Sequence, residues 1–211
     1  MKILKEILLI IFDFIFPRRD DDAAIVNLSP KKFYATVPRW NEEAYPNIQA
    51  IFHYQHPQAM AMVKEIKSFK SRHGAAIAGY ALAKKIDQLE IHSAILVPIP
   101  LSKKRRKERG YNQCELVLRS LSPQFLQERD LEIRTDLLER VKDSPKSALQ
   151  GRAGRIAAAT GIFTATCDLS AESRPIIIID DVVTTGSTMT AAMETLRQAG
   201  TKNVSGIAIS H

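Results

Sequence analysis

The chain reads as an α/β domain with a mainly parallel, twisted sheet flanked by helices, and three observations predict this. Two short continuous apolar runs, AILVPIP (residues 94–100) and PIIIID (residues 175–180), have the composition of strands buried on both faces. Other segments keep a helical period. Met62, Ile66 and Phe69 fall at i, i+4 and i+7 between lysines, and Met189, Met193 and Leu196 share one face of TMTAAMETLRQAG. Strand-like and helix-like segments then alternate through the C-terminal two-thirds of the chain, the pattern of a parallel sheet with crossover helices.

The elements follow in order. MKILKEILLIIFDFIF (residues 1–16) is apolar, but Glu6 and Asp13 interrupt it and PRRDDD follows in place of a small-residue cleavage site. It is too short to span a bilayer, so a docking or partly buried helix is expected and no transmembrane segment. Residues 17–46 carry four prolines and no sustained period, which predicts loop with at most a short strand. The helix over Met62–Phe69 is expected to break at Gly74, before a second helix carrying Ile77, Ala78, Ala81 and Leu82. KERGYNQCELVLRSL reads as one helix with Leu116, Val117 and Leu121 toward the core, and RTDLLERV as a strand. Residues 142–160 are long, polar and poor in large apolar groups, the signature of a functional loop. GIFTAT, PIIIID and NVSGIAIS are strands, and TMTAAMETLRQAG is the helix between the last two.

Composition sets the partners. With 211 residues, 45% hydrophobic and 25% charged, the chain can bury a sizeable core in one domain with a small appendage. The division expected is residues 1–50 as an N-terminal helix and irregular segment, and residues 51–211 as the main domain. Thirty Lys and Arg against 23 Asp and Glu give a net charge of +7, which favours anionic partners without choosing among them. Two cysteines, Cys114 and Cys167, form neither a disulfide framework nor a metal spacing, which fits a reducing cytoplasm. His53 and His56 are close together but have no further ligand types nearby, so they read as surface or packing residues.

The chemistry concentrates in IIIIDDVVTTGST, residues 176–188. In a parallel sheet ligands bind beyond the carboxyl ends of the strands, and Asp180 and Asp181 stand there. The following helix starts near residues 184–188, where unpaired N–H groups and a partial positive charge make a seat for a phosphate. Gly186 admits a close approach, and Thr184, Thr185, Ser187 and Thr188 add donors without bulk. Carboxylates repel a phosphate, so their task is to accept from sugar hydroxyls or to face Mg²⁺. A phosphorylated ribose needs all three features together. Taken singly, an Asp-Asp pair caps helices and small hydroxyl residues make turns; the assembled string outweighs that simpler account. The other phosphate-binding patterns, G-x-x-x-x-G-K-[ST] and G-x-G-x-x-G after a strand, are absent.

This string resembles the phosphoribosyl pyrophosphate (PRPP) signature of type I phosphoribosyltransferases. VPIPLSKKRRKERGYNQCELV (residues 97–117) is similar to the proline-flanked strand end and Arg-Gly-aromatic-Asn-Gln segment of the ComF family, which includes GntX-type proteins and is linked to competence and DNA uptake. IFPRR, SFKSRHGAAIAGYALA and the segment from Arg155 to GIF follow the same layout. The resemblance implies a type I phosphoribosyltransferase-like fold with a small N-terminal hood. It implies that Asp180 and Asp181 meet the ribose hydroxyls, directly or around Mg²⁺, that Thr184, Thr185, Gly186, Ser187 and Thr188 hold the 5′-phosphate, and that Val182 and Val183 belong to the same PRPP-binding segment. Pro98, Ile99, Pro100 and Leu101 become the pyrophosphate loop, flanked by Arg109, Gly110, Asn112 and Gln113, and residues 142–160 the closing loop.

Arg109, Lys146 and Arg152 are the candidates for neutralising pyrophosphate. The implied reaction is attack by an acceptor at the anomeric carbon of PRPP with loss of pyrophosphate; no residue identifies the acceptor. The chain departs from the family where paired Cys-x-x-Cys motifs build a zinc ribbon after FP: Arg18, Arg19 and Asp20–Asp22 stand there, so no zinc is expected. It also carries Lys146 and Ala158 where the family often has Gln and Asn. These changes keep open a PRPP-binding protein without transferase activity, acting in DNA uptake. Six of the seven residues from Lys103 to Arg109 are cationic, read as a pyrophosphate funnel, as single-stranded DNA contact or as a solvated helix start. Competence proteins and a second copy of the chain complete the partners left open.

Overall fold

The computed structural model describes residues 25, 27–142 and 161–211. The apolar segment 1–16, Arg18–Asp22, and Lys146, Arg152 and Ala158 of the polar loop lie outside the described residues. The elements run α1 (Pro30–Thr36), β1 (Glu43–Tyr45), β2 (Ile48–Phe52), α2 (Pro57–Phe69), α3 (Arg72–Gln88), β3 (Ala94–Pro98), α4 (Lys103–Arg109), α5 (Gln113–Leu118), α6 (Pro123–Glu128), β4 (Leu131–Ile133), β5 (Leu138–Arg140), β6 (Phe163–Ala165), β7 (Ile176–Val182), α7 (Ser187–Gln198) and β8 (Val204–Ser210).

Six strands form one sheet in the order β1-β2-β8-β7-β3-β4, parallel except for β1, which is antiparallel to β2. The mixed α/β architecture with a mostly parallel central sheet is the one predicted. The four consecutive isoleucines of β7 explain themselves here. Successive strand residues face opposite sides, so Ile177 and Ile179 join the cluster under α1, α2 and α3, while Ile176 and Ile178 join the cluster under α7. All four are at most 2% exposed, and each contributes about 1.5–3 kcal/mol of burial.

Local signals settle the points where sequence period misled. The proline-punctuated stretch contains a helix, α1, because Ser29 accepts from Lys32 N and Pro30 starts the first turn. α2 ends before Gly74, at Lys70 in the left-handed region (φ 53°). Ser71 then caps α3 by accepting from Gly74 N, so Gly74 lies in the first turn of a helix rather than between two. KERGYNQCELVLRSL is two helices. Gly110 closes α4 at φ +76°, a conformation costly for residues with a Cβ, and Asn112 opens α5 by accepting from Cys114 N. The edge strand β4 was not foreseen. LER (Leu138–Arg140) does form β5, but it pairs with β6 in a separate antiparallel ribbon rather than joining the main sheet.

From β3 the chain moves outward to β4, and from β7 it moves the other way to β8. The carboxyl ends of β3 and β7 therefore flank a topological switch point, where a crevice opens in sheets of this kind.

Candidate functional site

Asp180 and Asp181 sit at that switch point, 7% and 6% exposed. Strand alternation sends them apart. Asp180 continues the face of Ile178 and meets Cys114 of α5, whose Sγ donates to its Oδ1 at 3.9 Å. Asp181 continues the face of Ile179 and meets Lys67 at the end of α2, with Nζ 3.0 Å from Oδ2. Each carboxylate also accepts the next backbone N–H at 2.8 Å, from Asp181 N and Val182 N.

The electrostatics differ between the two. Burial first, and then the Asp181 charge, push the Asp180 carboxyl well above the ordinary carboxylate range, so it holds a proton at pH values where an exposed aspartate has none. Burial, followed by the charges of Asp180 and Asp181, also pushes the Cys114 thiol well up, so Cys114 is a neutral donor rather than a nucleophile. Asp181 Oδ2 is buried and accepts no aligned hydrogen bond; Lys67 supplies charge at 3.0 Å without that alignment. An acceptor left in this state suits a hydroxyl or a divalent cation. Among the described residues no cluster of three or more His, Cys, Asp or Glu could hold a metal. The pair thus fits Mg²⁺ only if the ligand and water supply the remaining oxygens, as is usual for this ion.

In the sequence Lys67 is simply one of the lysines between Met62, Ile66 and Phe69. Its position comes from Tyr111, whose hydroxyl donates to Ile66 O at 2.5 Å and accepts from Lys70 N at 3.0 Å. Tyr111 thereby ties the last turn of α2 to the α4–α5 junction. The separation of 44 residues between Lys67 and Tyr111 leaves no local trace in the sequence.

The loop after β7 is fixed from the edge of the sheet. Gly186 starts α7 at φ +73°, and a Cβ there would lie 2.8 Å from the Tyr45 ring. The Tyr45 hydroxyl donates to Thr184 O at 2.6 Å, and the ring stacks edge-on against His211, itself 2.9 Å from Val183 O through Nδ1. Thr185 and Ser187 share a hydrogen bond at 3.0 Å. Ser187 and Thr188 form the first turn of α7.

Pro98 pairs in register with Ile179, and Ile99 N donates to Ile179 O, so Pro98, Ile99, Pro100 and Leu101 begin beside the acid pair. Asn112 holds this segment by donating to Ile99 O at 2.9 Å. Arg109, half-buried at the end of α4, donates to Gln113 Oε1 at 2.8 Å, and Gln113 precedes the Cys114 that touches Asp180. The rest of the basic run is an exposed helix. Lys103 pairs with Glu139 at 3.3 Å and Arg106 with Glu115 at 2.6 Å. The structure therefore brings together the acid pair, residues 182–188 and residues 98–101, with Arg109 linked to Asp180 only through Gln113 and its neighbour Cys114.

Comparison with known proteins agrees with this geometry. The model of the phosphoribosyl transferase domain matches residues 111–210, from Tyr111 through the end of β8. The chain is 31% identical over 123 residues to "Competence protein F" of Haemophilus influenzae, covering 58% of this chain and 52% of that protein. It is 38% identical over 106 residues to "Competence protein ComFC" of Bacillus subtilis, covering 50% of this chain and 39% of that protein. The chain thus matches about half or less of the length of these relatives. With the parallel sheet, the acid pair at its switch point and the loop that follows, these matches support the ComF family and a type I phosphoribosyltransferase-like fold for the chain.

Proposed function

We propose that the protein binds PRPP with Mg²⁺ and transfers its phosphoribosyl group to an acceptor. The observation that carries this reading is the pair of buried carboxylates, one with an unfilled acceptor, directly before a glycine-started loop and helix N-terminus. In this reading residues 184–188 hold the 5′-phosphate with backbone N–H groups and hydroxyls. Asp180 and Asp181 receive the ribose 2′- and 3′-hydroxyls, and Pro98, Ile99, Pro100 and Leu101 line the pyrophosphate. The bond from C1 to the pyrophosphate oxygen breaks with its electron pair leaving on pyrophosphate, and the acceptor's lone pair forms the new bond to C1. Arg109 is the described cation assigned to the leaving group; Lys146 and Arg152, outside the described residues, are assigned to it from the sequence. Mg²⁺, when bound, supplies Lewis-acid neutralisation of the pyrophosphate oxygens. Holding the sugar and neutralising charge is most of what an oxocarbenium-like transition state requires.

The test has two arms. PRPP with Mg²⁺ is expected to raise the unfolding temperature of the wild-type protein but not of Asp180→Asn/Asp181→Asn, and pyrophosphate release with nitrogenous acceptors reports the transfer. Equal stabilisation of both proteins would remove the site assignment. Stabilisation without release for any acceptor would leave a second reading, PRPP binding without transfer in DNA uptake. Both relatives' names, as competence proteins, favour that reading. A contact of Lys103–Lys107 with single-stranded DNA would appear as salt-sensitive binding lost on neutralising those residues.

A further inference from the structure

A cavity of about 360 Å³ lies between α1, the end of α3 and the outer edge of β2, away from the acid pair. Tyr34, Arg39, Trp40, Ile51, Lys85 and Gln88 line it, and among the described residues every charge on its wall is positive. Lys85 is 5% exposed, and its ammonium makes no hydrogen bond or ion pair with any described residue. An ammonium partly withdrawn from water without a counter-charge is costly, and burial lowers the proton affinity of this one. Arg39 spends one N–H on Tyr34 O at 2.9 Å and lies 5.0 Å from the Tyr34 ring centroid, which leaves further donors of its fork available. Trp40 is fixed between His53 and His211, with ring centroids at 4.8 and 4.3 Å, so it gives the cavity a rigid aromatic wall.

We infer that this cavity is a second ligand site, taking a small planar organic anion whose carboxylate or phosphate pairs with Lys85 and Arg39 while its ring packs on Trp40 and Tyr34. The volume suits a compact ring with one anionic substituent. Among the described residues the wall carries no Asp or Glu, which selects against cations, and the flat side chains select against a bare hydrated ion. None of the cavity's lining residues belongs to the acid pair or the phosphate loop; the link to that loop is indirect, through His211, which packs on Trp40 and lies 2.9 Å from Val183 O.

Trp40 is the chain's one tryptophan, so its fluorescence reports the cavity directly. The full-length protein is titrated with benzoate, phenyl phosphate, inorganic phosphate and neutral benzamide. The expected result is a saturable change at up to millimolar benzoate or phenyl phosphate, whichever anion the site prefers. It should persist in Asp181→Asn and weaken about tenfold or more in Lys85→Met and in Arg39→Met. Lys85→Met removes a desolvated charge and is expected to fold; Arg39→Met, at an exposed position, gives the answer if it does not. A response to benzamide equal to benzoate, a response from inorganic phosphate alone, a response unchanged in both variants, or no saturable response to any probe would overturn the assignment.

Discussion

Lys67 Nζ lies 3.0 Å from Asp181 Oδ2, so the described cation nearest the acid pair comes from α2, outside the segment that carries the PRPP-like string. The contact couples two parts of the chain 114 residues apart in sequence. A ligand that needs Asp181 Oδ2 must share it with this ammonium or displace it, and a displaced ammonium is left facing whatever anion has arrived.

Replacing Lys67 by Met leaves a buried carboxylate without its counter-charge. Lys67 is 29% exposed on its side chain, so solvent screens part of the loss and the expected cost is about 1–2 kcal/mol, read as a lower denaturation midpoint. The PRPP- and Mg²⁺-dependent rise in unfolding temperature should also shrink, and Lys67→Arg should restore part of it. Undiminished stabilisation in Lys67→Met would show that the ammonium has no part in ligand binding.

Asp180 predicts a pH slope. Its folded-state proton affinity exceeds the unfolded value near pH 4, so the native state keeps a proton that the unfolded chain releases. That contribution is fully present below about pH 4 and is lost as pH rises toward about 8. Asp180→Asn should therefore gain at least about 1 kcal/mol relative to wild type between pH 5 and pH 8.5 in urea titrations. Parallel curves for the two proteins would contradict the account of the buried carboxyl.

Gly186→Ala places a Cβ 2.8 Å from the Tyr45 ring at φ +73°. The backbone alone costs about 1–2 kcal/mol and the ring contact adds to it. Combining the change with Tyr45→Ala should relieve the steric part and leave the backbone part, a non-additive pair measurable in a double-mutant cycle. Strict additivity would show that ring and glycine are not in contact.

Tyr111→Phe removes the donor to Ile66 O and the acceptor for Lys70 N. The expected loss is about 1–3 kcal/mol. Because the variant also loosens the turn that presents Lys67, its PRPP response should fall in the same direction as that of Lys67→Met. A stability loss with the ligand response intact would separate the clamp from the site.

Much of the sheet and half of the site were legible because their signals are local. Four β-branched residues in a row demand burial on both faces, and acids followed by small hydroxyls and a glycine announce a strand end and a helix start. The parts that escaped depend on residues distant in sequence. α1 was hidden because the prolines read as breaks, whereas Pro30 occupies a first turn that Ser29 caps. α4 and α5 merged because periodicity ignores a glycine whose left-handed backbone turns the chain. Lys67 and Tyr45 could not be assigned to the site from their own neighbourhoods. One reaches it from a crossing helix and the other from the antiparallel edge strand, 139 residues before the Thr184 carbonyl it binds.

The Cys114 thiol, 1% exposed beside Asp180, gives the molecule a built-in chemical clock. Cys167 is exposed and open to reagent, so a double-labelling time course is expected to separate into a fast and a slow phase. The slow phase counts excursions in which α5 lifts from the end of β7. Any molecule that settles over the acid pair should lengthen it, and that delay needs neither turnover nor a known acceptor to be seen.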